Sequence, residues 1–92
     1  MSLLQLADHA VFDDTDGAGV ILDTRKGVYL SLNSVATLML RAGMRSSTLN
    51  EAIGYLRERI DAPDETLDAG IRALSAQLDE HALLTSGQKE PR

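Results

Sequence analysis

The chain has 92 residues, an ordinary apolar share of 43%, a formal charge of −5 and an isoelectric point near 4.8. That length gives one small domain with one core and no room for a deep catalytic pocket beside a binding domain. Acidity disfavours the phosphate backbone that supplies most nucleic-acid affinity, and the absence of cysteine excludes disulfides and thiolate metal sites.

The N-terminus has no basic segment followed by an apolar run, so no secretory signal is read there. No apolar stretch approaches the roughly 18–20 residues of a membrane span. The expected location is the cytoplasm, with no membrane partner. Only Phe12, Tyr29 and Tyr55 are aromatic, so the core is expected to consist of Leu, Ile, Val and Ala.

Strand signals come first. "HAVFDD" predicts a strand at about 9–14, and Asp16-Gly17 predicts a hairpin turn, because glycine accepts positive φ without steric cost. "VILDT" predicts a second strand at 18–24. Gly27 then ends a tight connection into a third strand at 27–32. In "VYLSL" the alternation puts Val28, Leu30 and Leu32 on one face and Tyr29 and Ser31 on the other. Two short turns between three strands give an antiparallel meander.

Helix signals follow. Asn33-Ser34 caps a first helix with Val35, Leu38, Met39 and Ala42 on one face and Gly43 as its stop. Thr48 with Glu51 forms a capping box for a second helix, with Leu49, Ala52, Ile53 and Leu56 inward and an end near Ile60. Asp64, Glu65 and Asp68 open a third helix where the macrodipole favours acids. Leu67, Ile71, Leu74 and Leu78 form its apolar stripe. The fold class is α+β: a winged-helix-like domain over residues 1–85, with a three-stranded antiparallel sheet followed by three helices. Residues 86–92, "SGQKEPR", read as a disordered polar tail. The opening "MSLLQLAD" is open between a loose end and a segment packed on the sheet.

Chemistry is sparse. His9 and His81 lie at opposite ends of the chain without metal-ligand spacing. The acids around the first hairpin lack the bidentate glutamate of a calcium loop. No serine sits in a nucleophile context, and "DGAG" is not a phosphate loop. No enzyme, cofactor, metal or catalytic residue is expected. What remains is the third strand, whose edge carries no Lys, Pro or other charge to block pairing, and the third helix with its small residues Ala69, Gly70, Ala73 and Ala76.

"GVILDTRKGVYLSLNSVATLML", "LNEAIGYLRERI" and "LDAGIRALSAQLDEHALL" together resemble the PqqD-like family, the recognition elements for ribosomally made, post-translationally modified peptides. The resemblance rests on Leu22-Asp23, Gly27, Tyr29, Leu32-Asn33 and the Leu-rich segment Leu78 to Leu84, and spans about residues 9–85. The chain departs from many relatives in carrying Gly70 where they have an acid, and in its short "RAGM". The resemblance implies an adaptor that binds the leader segment of a precursor peptide by strand addition to the third strand, in a groove against the third helix. Its residues would be Val28, Tyr29, Leu30, Ser31 and Leu32 with Leu67, Asp68, Ile71, Arg72, Leu74, Ser75 and Leu78. The preferred helix face is Asp68, Ile71, Arg72, Ser75 and Leu78, the other being Gly70, Ala73 and Gln77. Implied partners are the leader and a maturation enzyme, a leader peptidase in the lasso-peptide type. The alternatives are a partner of a radical-SAM enzyme and a winged-helix nucleic-acid binder using Arg57 and Arg59. The expected state is a monomer, or a dimer paired through the strand edge.

Overall fold

A computed structural model describes residues 2–14 and 18–85. Three strands, β1 (Ala10–Asp13), β2 (Val20–Asp23) and β3 (Val28–Ser31), precede three helices, α1 (Ser34–Arg45), α2 (Leu49–Arg57) and α3 (Asp64–Glu80). The sheet is antiparallel in the order β1-β2-β3. This is the expected α+β order, with every strand slightly shorter than read from sequence. The expected Asp16-Gly17 turn and the tail at 86–92 lie outside the described residues.

Gly27 sits at φ 70 and closes the β2–β3 turn, its N–H donating to the Asp23 carbonyl at 2.8 Å. Asp23 fixes the same turn from its side chain. Oδ1 accepts the backbone N–H of Arg25 at 3.0 Å and of Lys26 at 3.2 Å.

Asn33 caps α1 as expected, Oδ1 accepting the Ala36 N–H at 2.8 Å. Two details of that helix differ from the sequence reading. Val35 is exposed, and the buried face is Thr37, Met39, Leu40, Ala42 and Gly43. Gly43 does not stop the helix. It is buried inside it because Leu4 lies over the bare backbone where a Cβ would stand. The Leu4 N–H donates to the Gly43 carbonyl at 2.9 Å and the Leu3 N–H to the Ser46 carbonyl at 2.6 Å, so the N-terminal segment satisfies carbonyls at the end of α1.

The cap of α2 is a variant of the expected box. Thr48 Oγ1 accepts the Glu51 N–H at 3.2 Å, while Glu51 Oε1 reaches the N–H of Ser47 rather than that of Thr48, at 2.8 Å. The helix ends at Arg57, before Ile60, whose N–H bonds the Leu56 carbonyl in the closing turn. In α3 the stripe is inward as read: Leu67, Ile71, Leu74 and Leu78 are buried. Gly70 has a packing role, since the Met39 side chain of α1 occupies the space of its missing Cβ.

The sheet joins the helices through Thr37. Its buried hydroxyl accepts the Gly19 N–H at 2.7 Å and donates to the Asn33 carbonyl at 2.8 Å. Ile21, Leu32, Leu40, Leu56 and Leu78 belong to one core cluster that spans sheet and helices.

α3 closes with Ala82 at φ 59, the Leu83 N–H donating to the Leu78 carbonyl at 2.9 Å. This is the left-handed terminus that glycine favours. An L-residue there costs roughly 1–2 kcal/mol, part of which is returned because alanine orders more cheaply than glycine. Ala82→Gly is expected to raise stability by about 0.5–1 kcal/mol, seen as a higher urea midpoint at unchanged slope. An unchanged or lower midpoint would contradict the strain at this turn.

Candidate functional site

The edge of β3 is built by register. Residues paired across β2 and β3 are Val20 with Ser31, Ile21 with Leu30, Leu22 with Tyr29 and Asp23 with Val28. One bond fixes the phase of this ladder: the Leu32 N–H donates to the Gly19 carbonyl at 2.8 Å. Antiparallel pairs alternate between bonded and non-bonded, so Leu30 and Val28 face β2, while Tyr29 and Ser31 turn their N–H and C=O outward. A second bond checks the phase on the other side of β2. The Thr24 N–H donates to the His9 carbonyl at 2.8 Å, which assigns Leu22 and Val20 to β1.

The two sheet edges are not equivalent. On β1 the outward N–H of Ala10 is already donated to the Ala7 carbonyl at 2.9 Å, and residues 4–8 share a pocket with Ala10 and Phe12. Beyond β3, by contrast, there is no further strand among the described residues. The N-terminal segment is spent instead on α1 and on residues 83–85. The Ala7 N–H donates to the Leu83 carbonyl at 2.8 Å and the Thr85 N–H to the Gln5 carbonyl at 2.9 Å, with Leu6 bridged to Leu84.

A shallow pocket opens beside the inner face of β3, near the turn that follows α3. Val28 is exposed although it shares the inner face with buried Leu32. The pocket, of about 100 Å³, is lined by Ile21, Asp23, Val28, Leu30, His81 and Leu83, with Lys26 and Tyr29 also contributing.

The preferred face of α3 is not on this pocket. Ile71, Arg72 and Ser75 line a different pocket of about 480 Å³ with Leu3, Leu49 and Leu84. Arg72 is held by Asp68 one turn back, Nε to Oδ1 at 2.6 Å. Leu67, Leu74 and Leu78 are core, so they support the groove and do not line it. The helical reason is angular: at 100° per residue, His81 lies on the margin of Gly70 and Gln77, on the opposite side of the Leu stripe from Asp68, Arg72 and Ser75. The sequence reading named Val28 to Leu32 but not Asp23, His81 and Leu83, which the structure places in one pocket with Val28, Tyr29 and Leu30. The signal was present in the sequence, since His81 continues the 70–77 line.

The outer face of the sheet carries a second feature. Val11, Leu22 and Tyr29 are cross-strand neighbours in one row and are 50%, 36% and 70% exposed. The arginines offered for nucleic acid are engaged elsewhere. Arg57 forms a fork with Asp64 at 3.1 and 2.7 Å, and Arg59 stacks 3.7 Å from the Tyr55 ring centroid while bonding the Tyr55 carbonyl. Among the described residues no group of three His, Cys, Asp or Glu is placed to hold a metal, and no helix is long and apolar enough to cross a membrane.

The chain matches the family model of coenzyme PQQ synthesis protein D (PqqD) over residues 18–84. It belongs to the PqqD family. Two solved structures share the fold of this PqqD-family chain, each with a TM-score of 0.78. One, described as TbiB1 in complex with the TbiA(beta) leader peptide, is 18% identical and covers 90% of this chain and 96% of its own. The other, described as lasso peptide synthetase B1 complexed with the leader peptide, is 23% identical and covers 91% of this chain and 99% of its own. No curated protein matches the chain.

At the groove of this PqqD-family chain, burial pushes the Asp23 carboxyl up. The N–H groups of Lys26 and Arg25 and the charges of His9 and Lys26 outweigh that and hold it below its ordinary value of 3.8. A lowered folded pKa means that the ionised form stabilises the fold, fully above the ordinary value, and that this support is lost as pH falls through the folded value. Asp23→Asn is therefore expected to be less stable than the parent at pH 7, with the gap between their melting temperatures closing as pH is lowered through about 4 and below. A constant gap from pH 7 to pH 2 would show that Asp23 has no ionisation-linked role in the turn.

Proposed function

We propose that this chain is a non-catalytic adaptor that binds the leader segment of a ribosomally made precursor peptide and presents it to a maturation enzyme. A leader peptidase of a lasso-peptide pathway is the partner that fits best. The observation that carries this reading is the bare edge of β3, with the N–H and C=O of Tyr29 and Ser31 directed outward beside an open groove. An extended segment added there gains backbone hydrogen bonds whatever its sequence, while inward-facing side chains enter the groove. The two structures of similar fold are described with leader peptides bound, which supports the same ligand class here.

A free leader is disordered, and ordering it opposes binding. The edge is already formed, which limits that cost to the peptide side. The adaptor then acts through effective concentration: it holds a flexible substrate near an enzyme that binds it weakly alone. The row Val11, Leu22 and Tyr29 supports the second half of the reading. It lies on the sheet face away from the groove, stays open when a strand joins β3, and is the contiguous apolar surface a partner enzyme would cover.

Proline at an outward-donating position removes a donor to an added strand without breaking the β2–β3 ladder. Tyr29→Pro and Ser31→Pro are each expected to weaken binding of a leader peptide by about fivefold or more, one lost backbone N–H bond at roughly 1 kcal/mol, with steric exclusion by the ring adding to it. Arg72→Ala and Ser75→Ala, on the far side of α3, should bind like the parent. Isothermal titration checks this, with melting curves to show that each variant is folded. Normal binding by both proline variants would remove strand addition as the mechanism.

A charge in the outer row separates the two halves of the function. Leu22→Glu is expected to bind leader within about twofold of the parent, yet to reduce adaptor-dependent cleavage by a leader peptidase about tenfold or more, because a desolvated charge opposes docking. Full stimulation of cleavage by a folded Leu22→Glu variant would exclude this face as the enzyme contact.

A further inference from the structure

Charge is unevenly placed around the β3 edge. The chain carries 14 acids against 9 Lys and Arg residues, yet the only acid lining the pocket beside β3 is the buried Asp23. Lys26 enters that pocket from the β2–β3 turn and His81 from the end of α3. The α3 margin that ends at His81, through Gly70 and Gln77, has no acid, whereas Asp68 and Asp79 stand on the opposite margin. The two cations of the turn are divided. Arg25 directs its guanidinium to His9 at 3.2 Å, on the β1 side, and Lys26 serves the β3 side. Lys26 is exposed, and among the described residues no carboxylate forms an ion pair with it. Its backbone is fixed, since its N–H donates to Asp23 Oδ1 at 3.2 Å.

We infer that Lys26 selects an aspartate or glutamate on the bound leader, at the inward-facing position where the added strand passes Val28. The inference rests on the strand-addition reading. An added strand lies one spacing from β3, and the flexible four-carbon stem of lysine spans more than that spacing of about 4.8 Å. Asp23 is paired with Val28 from β2, on the far side of β3. The leader carboxylate therefore meets the Lys26 ammonium and stays a further strand away from the buried carboxylate. His81 adds a ring N–H donor from the α3 wall. The other end of the edge, Ser31 to Asn33, carries no charge. One acid at the turn end consequently fixes register, which backbone hydrogen bonds alone leave open.

The test starts from a phage-displayed library of random dodecapeptides selected on the parent protein. Peptides that bind the parent and lose affinity for Ser31→Pro are kept, and these should share an acid at one position. Replacing that acid by its amide in the synthetic peptide should weaken binding to the parent about threefold or more at low salt, and binding to Lys26→Met by less than about 1.5-fold. The loss on the parent should shrink at about 1 M salt, where the screening length is about 3 Å. The amide change is made on the peptide, so its effect on the parent and its salt dependence are read even if Lys26→Met fails to fold. Kept peptides without a shared acid, equal binding of acid and amide by the parent, a loss that salt leaves unchanged, or the same loss on folded Lys26→Met would overturn selection by Lys26 while strand addition stands. If no selected peptide loses affinity for Ser31→Pro, strand addition is wrong and selection by Lys26 falls with it.

Discussion

The site depends on where residues 2–8 spend their hydrogen bonds. A short segment ahead of a three-stranded meander has two places to go: along an open sheet edge, or across the helical layer. Here the Leu3 and Leu4 N–H groups close the end of α1, and Gln5 and Ala7 exchange bonds with Thr85 and Leu83. Leu4 seals the choice by packing over Gly43, where a larger residue would leave no room. With the segment committed to that side, β1 is flanked and β3 is left bare. The open edge is thus a consequence of packing elsewhere in the chain.

An unprotected edge in a small acidic protein is a hazard unless something uses it. No charged side chain or proline interrupts β3, and Val28 on its inner face is exposed beside the pocket. The core beneath is complete without it. Ile21, Leu32 and the Leu stripe of α3 are buried, and Thr37 ties sheet to helix by accepting from Gly19 and donating to Asn33. The fold therefore supplies a pre-formed edge and a shallow groove beside it. This is the arrangement expected of a surface that captures an extended chain, since the binding partner finds its geometry already set.

The turn after β2 links stability to the site. Asp23 anchors the Arg25 and Lys26 amides and so fixes the hairpin that positions β3. The same carboxylate stands in the groove wall. A residue whose turn role alone explains its type also sets the polarity of the pocket. The outer row of Val11, Leu22 and Tyr29 lies on the opposite face, so the thin sheet offers two independent surfaces: an edge for one chain and a face for another.

Much of this was legible in local pattern. The strand order, the Asn33 cap, the buried stripe of α3 and the vulnerable edge of "VYLSL" all follow from alternation, capping chemistry and helical spacing, which act over a few residues. Local pattern failed where partners were distant in sequence. Gly43 and Gly70 look like a stop and an anomaly until Leu4 and Met39 are seen in the space they leave. Val35 fits the apolar spacing of α1 yet faces outward, because that helix is rotated to bury Thr37 and Leu40. The same limit governed the groove. The stripe of α3 has two margins that periodicity treats alike, and only the packing of α1, α2 and the N-terminal segment turns the Arg72 margin away from β3 and leaves His81 beside it. The sequence by itself determined which elements form and that β3 carries no charge or proline to guard its edge. The tertiary structure alone decided which side chains share a groove, because that depends on contacts among residues that no short-range pattern connects.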